Sequence, residues 1–190
     1  SKTERALARG GRTEHRDHAR THVAHRLRAF ARALTRRVTS RAGTGASSGN
    51  RFEGNLVRDN RDEGVHLGTG ASWNEIVGNE IAGNKRENLY LLSSHHNLVE
   101  ANVVHHGAMA AIYVKHSSDN RFVANEVRDT SFQLRGDSAR NVFEGNLLKG
   151  DGYLLLAYLQ SGIWTYPHDN SMTGDTILKT DFCFRFFTAP

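Results

Sequence analysis

The stretch Asn97–Leu98–Val99–Glu100–Ala101–Asn102–Val103–Val104 decides the fold, because its pattern, Asn-x-Φ-x-x-Asn-x-Φ, returns along the chain. The first Asn falls at Asn50, Asn74, Asn97, Asn120, Asn141 and Asn170, at intervals of 24, 23, 23, 21 and 29 residues. Two residues after it stand Phe52, Ile76, Val99, Phe122, Phe143 and Met172. The second polar position holds Asn55, Asn79, Asn102, Asn125, Asn146 and Asp175, followed two residues on by Val57, Ile81, Val104, Val127, Leu148 and Ile177. After a variable turn comes a third alternating segment: Val65/Leu67, Leu89/Leu91, Ile112/Val114, Phe132/Leu134, Tyr153/Leu155 and Phe182/Phe184. These segments are too short for ordinary strands and have no helical period. Such a unit cannot bury its apolar side alone, but stacked copies form parallel ladders about 4.8 Å apart around one core. Alternation puts each Asn on the same inward side as the apolar residue two positions on. A buried amide is costly unless paired, and the same amide one turn above and below supplies its partners. The pattern therefore predicts stacked turns with two internal Asn ladders.

From Asn50 to Phe187 this repeat resembles the right-handed parallel β-helix superfamily of carbohydrate-binding proteins and sugar hydrolases. That superfamily includes pectate lyases, mannuronan epimerases and the copper-accessory protein of nitrous oxide reductase. The resemblance implies an all-β solenoid, a right-handed parallel β-helix of about six rungs. It further implies a secreted or periplasmic location and a substrate groove on the third sheet of each turn. A left-handed β-helix would instead show hexapeptide periodicity, which is absent here.

Composition changes before the repeat. Residues 1–41 carry 12 of the 25 Lys and Arg against three acids, a net charge of +9, while the remainder carries 13 bases and 17 acids, a net −4. The overall basic charge is thus a property of a leader segment, and with a single aromatic in it, Phe30, nucleic acid is not the expected partner. Val23, Leu27, Phe30, Leu34 and Val38 form one apolar stripe, so residues 14–40 are predicted to be an amphipathic α-helix capping the first turn. Residues 42–49 read as a linker and residues 50–190 as the repeats. At the other end Phe182, Phe184, Phe186 and Phe187 crowd the last strand, a surface that a second copy in a homo-oligomer would cover. One cysteine, Cys183, excludes an internal disulfide and a four-cysteine zinc site. The longest apolar run, Tyr153–Leu159, is too short to span a bilayer.

Parity also places chemistry. With Val65 and Leu67 inward, the outward ladder of the third sheet is His66, Tyr90, Tyr113 with Lys115, Gln133 with Arg135, and Leu154. Aromatic faces suit sugar rings, and Lys and Arg suit carboxylates, so an acidic polysaccharide is the expected partner. Glycoside hydrolysis needs two carboxyls on one face. The ladder contains none, and Asp59, Asp129 and Asp151 fall in the preceding turns. Elimination or epimerisation of a uronate needs a base at C-5 and neutralisation of the carboxylate. Lys115, His66 or a Tyr phenolate is the candidate base and Arg135 the neutraliser. The insertion after the fifth third-sheet segment adds Trp164 and Tyr166 as a stacking wall. Its Pro167–His168–Asp169 is similar to part of the Asp-Pro-His-Asp motif of mannuronan epimerases, which implies a catalytic base at His168. Calcium is a cofactor such a site could take, and the sequence leaves that requirement open.

The alternative reading is a non-catalytic scaffold or accessory module, copper-handling through its histidines. His15, His18, His22 and His25 recur at metal-chelating spacing on the predicted helix. Adjacent histidines in a turn are expected to point apart, so His95–His96 and His105–His106 each offer one ligand, and His95 or His96 is placed to approach His116 one turn on.

Overall fold

The computed structural model describes residues 47–150 and 167–178 with their side chains, together with the backbone of the strands Leu154–Leu156, Tyr158–Gln160, Ile163–Thr165 and Phe184–Phe186. The predicted N-terminal helix lies outside the described residues. Every described element is a strand of three or four residues, and all but two of them wind into three parallel six-stranded sheets. The first sheet runs from Arg51–Glu53 to Ser171–Thr173, the second from Leu56–Arg58 to Thr176–Leu178, and the third from Val65–Leu67 to Phe184–Phe186. Each strand pairs with its counterpart one turn on, without slippage: Phe52 with Ile76, Val57 with Ile81, Val65 with Leu89. The fold is the expected parallel solenoid. In its first four turns all three strands are described with their side chains.

The core is the set of inward residues from all three sheets, including Ile81, Leu89, Leu91, Val99, Val104, Ile112, Val114, Phe122 and Leu134, all without exposed surface. Aromatic packing runs both along and across the solenoid. Phe122 stacks on Phe143 one turn on, at 5.1 Å and 6°, and Phe132 of the third sheet meets both rings edge-on at 5.1 and 5.2 Å.

Both Asn ladders form. In the first, Asn97 Nδ2 donates to Asn120 Oδ1 at 3.0 Å and Asn120 Nδ2 to Asn141 Oδ1 at 3.0 Å. The second amide proton of each goes to a main-chain carbonyl of the turn below, as from Asn120 to Ser94 O at 3.1 Å. Each Oδ1 also accepts the backbone N–H of the Asn below it. The second ladder ends on Asp175, whose Oδ1 accepts both N–H groups of Asn146 at 2.7 Å. An Asp there suits the end of a run in which every member donates toward the C-terminus. Between the first two strands of each turn the chain rounds the corner at one left-handed residue: Gly54, Gly78, Ala101, Ala124, Gly145 and Gly174, with φ between 52 and 68°. Small residues fill that column because the conformation disfavours larger side chains.

The register corrects two expectations. Leu154 and Leu156 align with inward Phe132 and Leu134, so Leu155, and not Leu154, stands in the outward column. Phe184 and Phe186 align with Leu154 and Leu156, in place of the expected Phe182/Phe184 pair. The insertion that follows is an antiparallel ribbon in which Leu159 pairs with Trp164.

Candidate functional site

The outward face of the third sheet brings together most of the residues expected there. Strand pairing puts His66, Tyr90, Tyr113 and Gln133 in one column and Leu92, Lys115 and Arg135 in the next. His66 stacks on Tyr90 at 4.7 Å and 22°, Tyr90 meets Tyr113 edge-on at 5.2 Å, and the Arg135 guanidinium lies 5.6 Å from the Tyr113 ring centre. Three consecutive rings thus lead into a cation, one group per turn.

Gln133 departs from expectation. It occupies the outward column but is only 5% exposed. Its Nε2 donates to Ser131 Oγ at 2.6 Å, and its Oε1 accepts from Arg135 Nε and Nη2 at 3.0 and 2.8 Å. It is a support that aims the guanidinium, not a surface contact. Tyr90 departs too. Burial first, then the neighbouring Tyr113 and Glu87, push its phenol up to about 12, so it stays protonated at neutral pH and does not serve as a phenolate base.

At the corner before this sheet lies a group that parity did not single out. Glu63 and Glu87 occupy equivalent positions in successive turns, two residues before Val65 and Leu89. Both are largely buried, and Arg86 spans them at 3.0 and 3.6 Å with Asp62 at 3.4 Å. The repeated Glu before the third strand was visible in the sequence once the turns were aligned. At the other margin His116 Nδ1 lies 2.6 Å from Asp137 Oδ1, and this contact holds the Asp137 carboxyl below the usual range. Gly136 makes room for the ring: a Cβ there would sit 2.5 Å from His116 Nδ1.

The remaining candidates are dispersed. His168 lies outside the ladder, at the corner after the third sheet, where its Nδ1 is 2.8 Å from Asp169 Oδ2. Trp164 is described by its backbone alone, and Tyr166 lies outside the described residues. His95 Nδ1 accepts the Ser118 amide at 3.1 Å, and His96 stacks on Trp73 at 4.4 Å. Among the described residues no group of three or more His, Cys, Asp or Glu side chains is arranged to hold a metal ion. No helix among them is long and apolar enough to cross a membrane.

The chain belongs to the right-handed β-helix family: the model of the right handed beta helix region matches residues 39–181. No curated protein matches the sequence. Among solved structures it is similar to the A-module of a mannuronan C-5 epimerase of Azotobacter vinelandii, with a TM-score of 0.63 and 14% identity over 75% of this chain and 44% of that one. It is also similar to a periplasmic alginate epimerase, at TM-score 0.49 and 14% identity over 73% of this chain and 39% of that one. A third is the enzymatically active domain of a bacteriophage CBA120 tailspike protein, at 0.47 and 11% over 71% and 21%. The chain therefore spans less than half the length of each of these structures. At 14% identity the likeness to the epimerase module shows the fold alone.

Proposed function

We propose that this protein recognises an acidic polysaccharide on the outward face of its third sheet, and that any reaction there is of the lyase or uronate-epimerase type. The run of rings His66, Tyr90 and Tyr113, leading to Arg135 in the adjoining column, one group per turn, carries the reading. A sugar chain lying along the solenoid axis would meet ring faces and edges in succession, with its carboxylates toward Arg135 and Lys115. In that pose Lys115 or His66 is the base at C-5 and Arg135 neutralises the carboxylate as charge develops. Trp164 and Tyr166 of the insertion would wall the groove, and His168, beside Asp169, is the alternative base. The similarity in fold to a mannuronan C-5 epimerase module supports the substrate class.

The test is binding of polymannuronate and polygalacturonate oligomers at low salt, with a neutral glucan as control. Lys115→Ala combined with Arg135→Ala should weaken binding at least tenfold. It should also cost roughly 1–3 kcal/mol, because Gln133 Oε1 loses its donors. Turnover would appear as an unsaturated product by ultraviolet absorbance or a changed epimer ratio by NMR. Failure of the parent protein to bind, or equal affinity in the double variant, would leave the fold as a scaffold.

A further inference from the structure

A second group of side chains lies away from the third sheet, at the corner that follows the second. His105 ends the strand Val103–His105, and His106 is the next residue, in a left-handed conformation with φ 52°. Their Nδ1 atoms are 2.6 Å apart, with the rings nearly perpendicular at 80°. The other nitrogen of each ring faces a carboxylate on an adjoining turn. His105 Nε2 is 3.4 Å from Glu80 Oε1 and His106 Nε2 is 3.5 Å from Asp129 Oδ2. Three successive turns of a rigid solenoid thus hold the four groups in register. His105 and His106 therefore converge, against the expectation that neighbouring histidines diverge, whereas His95 and His96 take separate partners, the Ser118 amide and the Trp73 ring.

The carboxylate facing Nε2 of each ring turns its Nδ1 toward the other ring. Two imidazole nitrogens this close share either one ring's proton or a common electron-pair acceptor. Imidazole with its outer N–H on a carboxylate is the usual orientation of a metal-ligating histidine. We propose that His105 and His106 form a two-imidazole site for a divalent transition-metal ion of the copper and zinc class. Glu80 and Asp129 orient the rings, and solvent completes the coordination. Nitrogen donors favour these ions over calcium or magnesium, which take oxygen. Small side-chain rotations suffice to open the nitrogen pair for metal–nitrogen bonds of about 2.0–2.1 Å. The site is open to solvent: 66% of the His106 side chain is exposed, against 19% for His105. Arg128, the cation whose charge reaches both Glu80 and Asp129, is itself engaged by both oxygens of Glu126 at 2.8 and 2.7 Å.

The test uses the full chain carrying His15, His18, His22 and His25 all changed to Ala, so that the N-terminal segment does not compete. Titration with Cu²⁺ by calorimetry, with electron paramagnetic resonance of the product, should show one ion per chain and nitrogen coupling from two imidazoles. Adding His105→Ala with His106→Ala should remove that coupling and weaken binding by at least about tenfold. Glu80→Gln with Asp129→Asn, which keeps a residue tolerant of the left-handed corner, should weaken it by about 10–100-fold. Unchanged melting temperatures without metal check that the variants fold. Absence of binding in the parent, or equal affinity without the histidine pair, overturns the proposal.

Discussion

Asn102 has no exposed surface, and every polar group of its side chain is paired. Its Oδ1 accepts the N and Nδ2 groups of Asn79 at 2.9 and 3.0 Å, and its Nδ2 donates to Asn125 Oδ1 at 3.0 Å and Ile76 O at 2.8 Å. Asn102→Leu has similar bulk but leaves the Asn79 backbone N–H and one of its Nδ2 protons without an acceptor in the core, and removes one donor from the Ile76 carbonyl. The expected loss is about 1–3 kcal/mol for each group that water cannot reach, read as a lower urea midpoint; an unchanged midpoint would contradict the ladder. These Asn positions were legible in the sequence because one residue type recurs at nearly constant spacing. Two further ladders were not. Asn60 donates to Asn84 Oδ1 at 2.8 Å, which in turn donates to Asn88 at 2.7 Å, two members coming from one turn. Ser117 and Ser138 accept the amides of Ser94 and Ser117 at 3.0 and 3.1 Å, without any fixed neighbour pattern. Parity likewise assigned Gln133 to the outward side correctly yet could not tell depth, which Ser131 and Arg135 determine.

The strands themselves differ in how clearly their phase can be read. Val65–His66–Leu67 alternates, so its inward and outward residues follow from the sequence. The run Tyr153–Leu154–Leu155–Leu156 is apolar throughout, so alternation assigns no phase, and the register came out one residue away from expectation. On the second sheet several outward residues are charged, and some interact across turns. Glu126 accepts from Arg128 at 2.7 Å, and Lys149 of the next turn also contacts it. These two partners, Arg128 foremost, hold the Glu126 carboxyl down to about 2. A carboxyl depressed in the folded state stabilises fully above its unfolded value, and that contribution is lost as pH falls through the folded one. Stability should therefore decline between the ordinary glutamate range, about 4.3, and pH 2. Because both cations are more than a third exposed, the amount is on the order of 1 kcal/mol. Glu126→Gln should flatten that part of the pH profile measured by chemical denaturation. A profile identical to the parent's would show that the network contributes nothing.

A solenoid has two ends, and each exposes strand edges that closed folds do not have. At the first turn Arg51–Glu53 pairs only with Glu75–Val77 among the described residues, and Phe52 of that strand is only half-buried. Arg51 engages Glu53 at 2.7 Å and also Glu75, charges that make this edge a poor template for another strand. The second strand of the turn, Leu56–Arg58, carries less protection, with Leu56 half-buried and outward. The segment before it has the charge opposite to that of the repeats, +9 against −4, and the apolar stripe Val23 to Val38. Deleting residues 1–41 is therefore expected to raise self-association through the first turn and to lower the melting temperature. Sedimentation of the truncated and full chains at matched concentration measures the first effect and a thermal scan the second. If charge attraction contributes to capping, added salt should move the full chain toward the truncated one, since about 0.15 M already screens exposed charges beyond roughly 8 Å. A truncated chain that stays monomeric and equally stable would mean that the charged first edge is sufficient protection and that the basic segment serves another role.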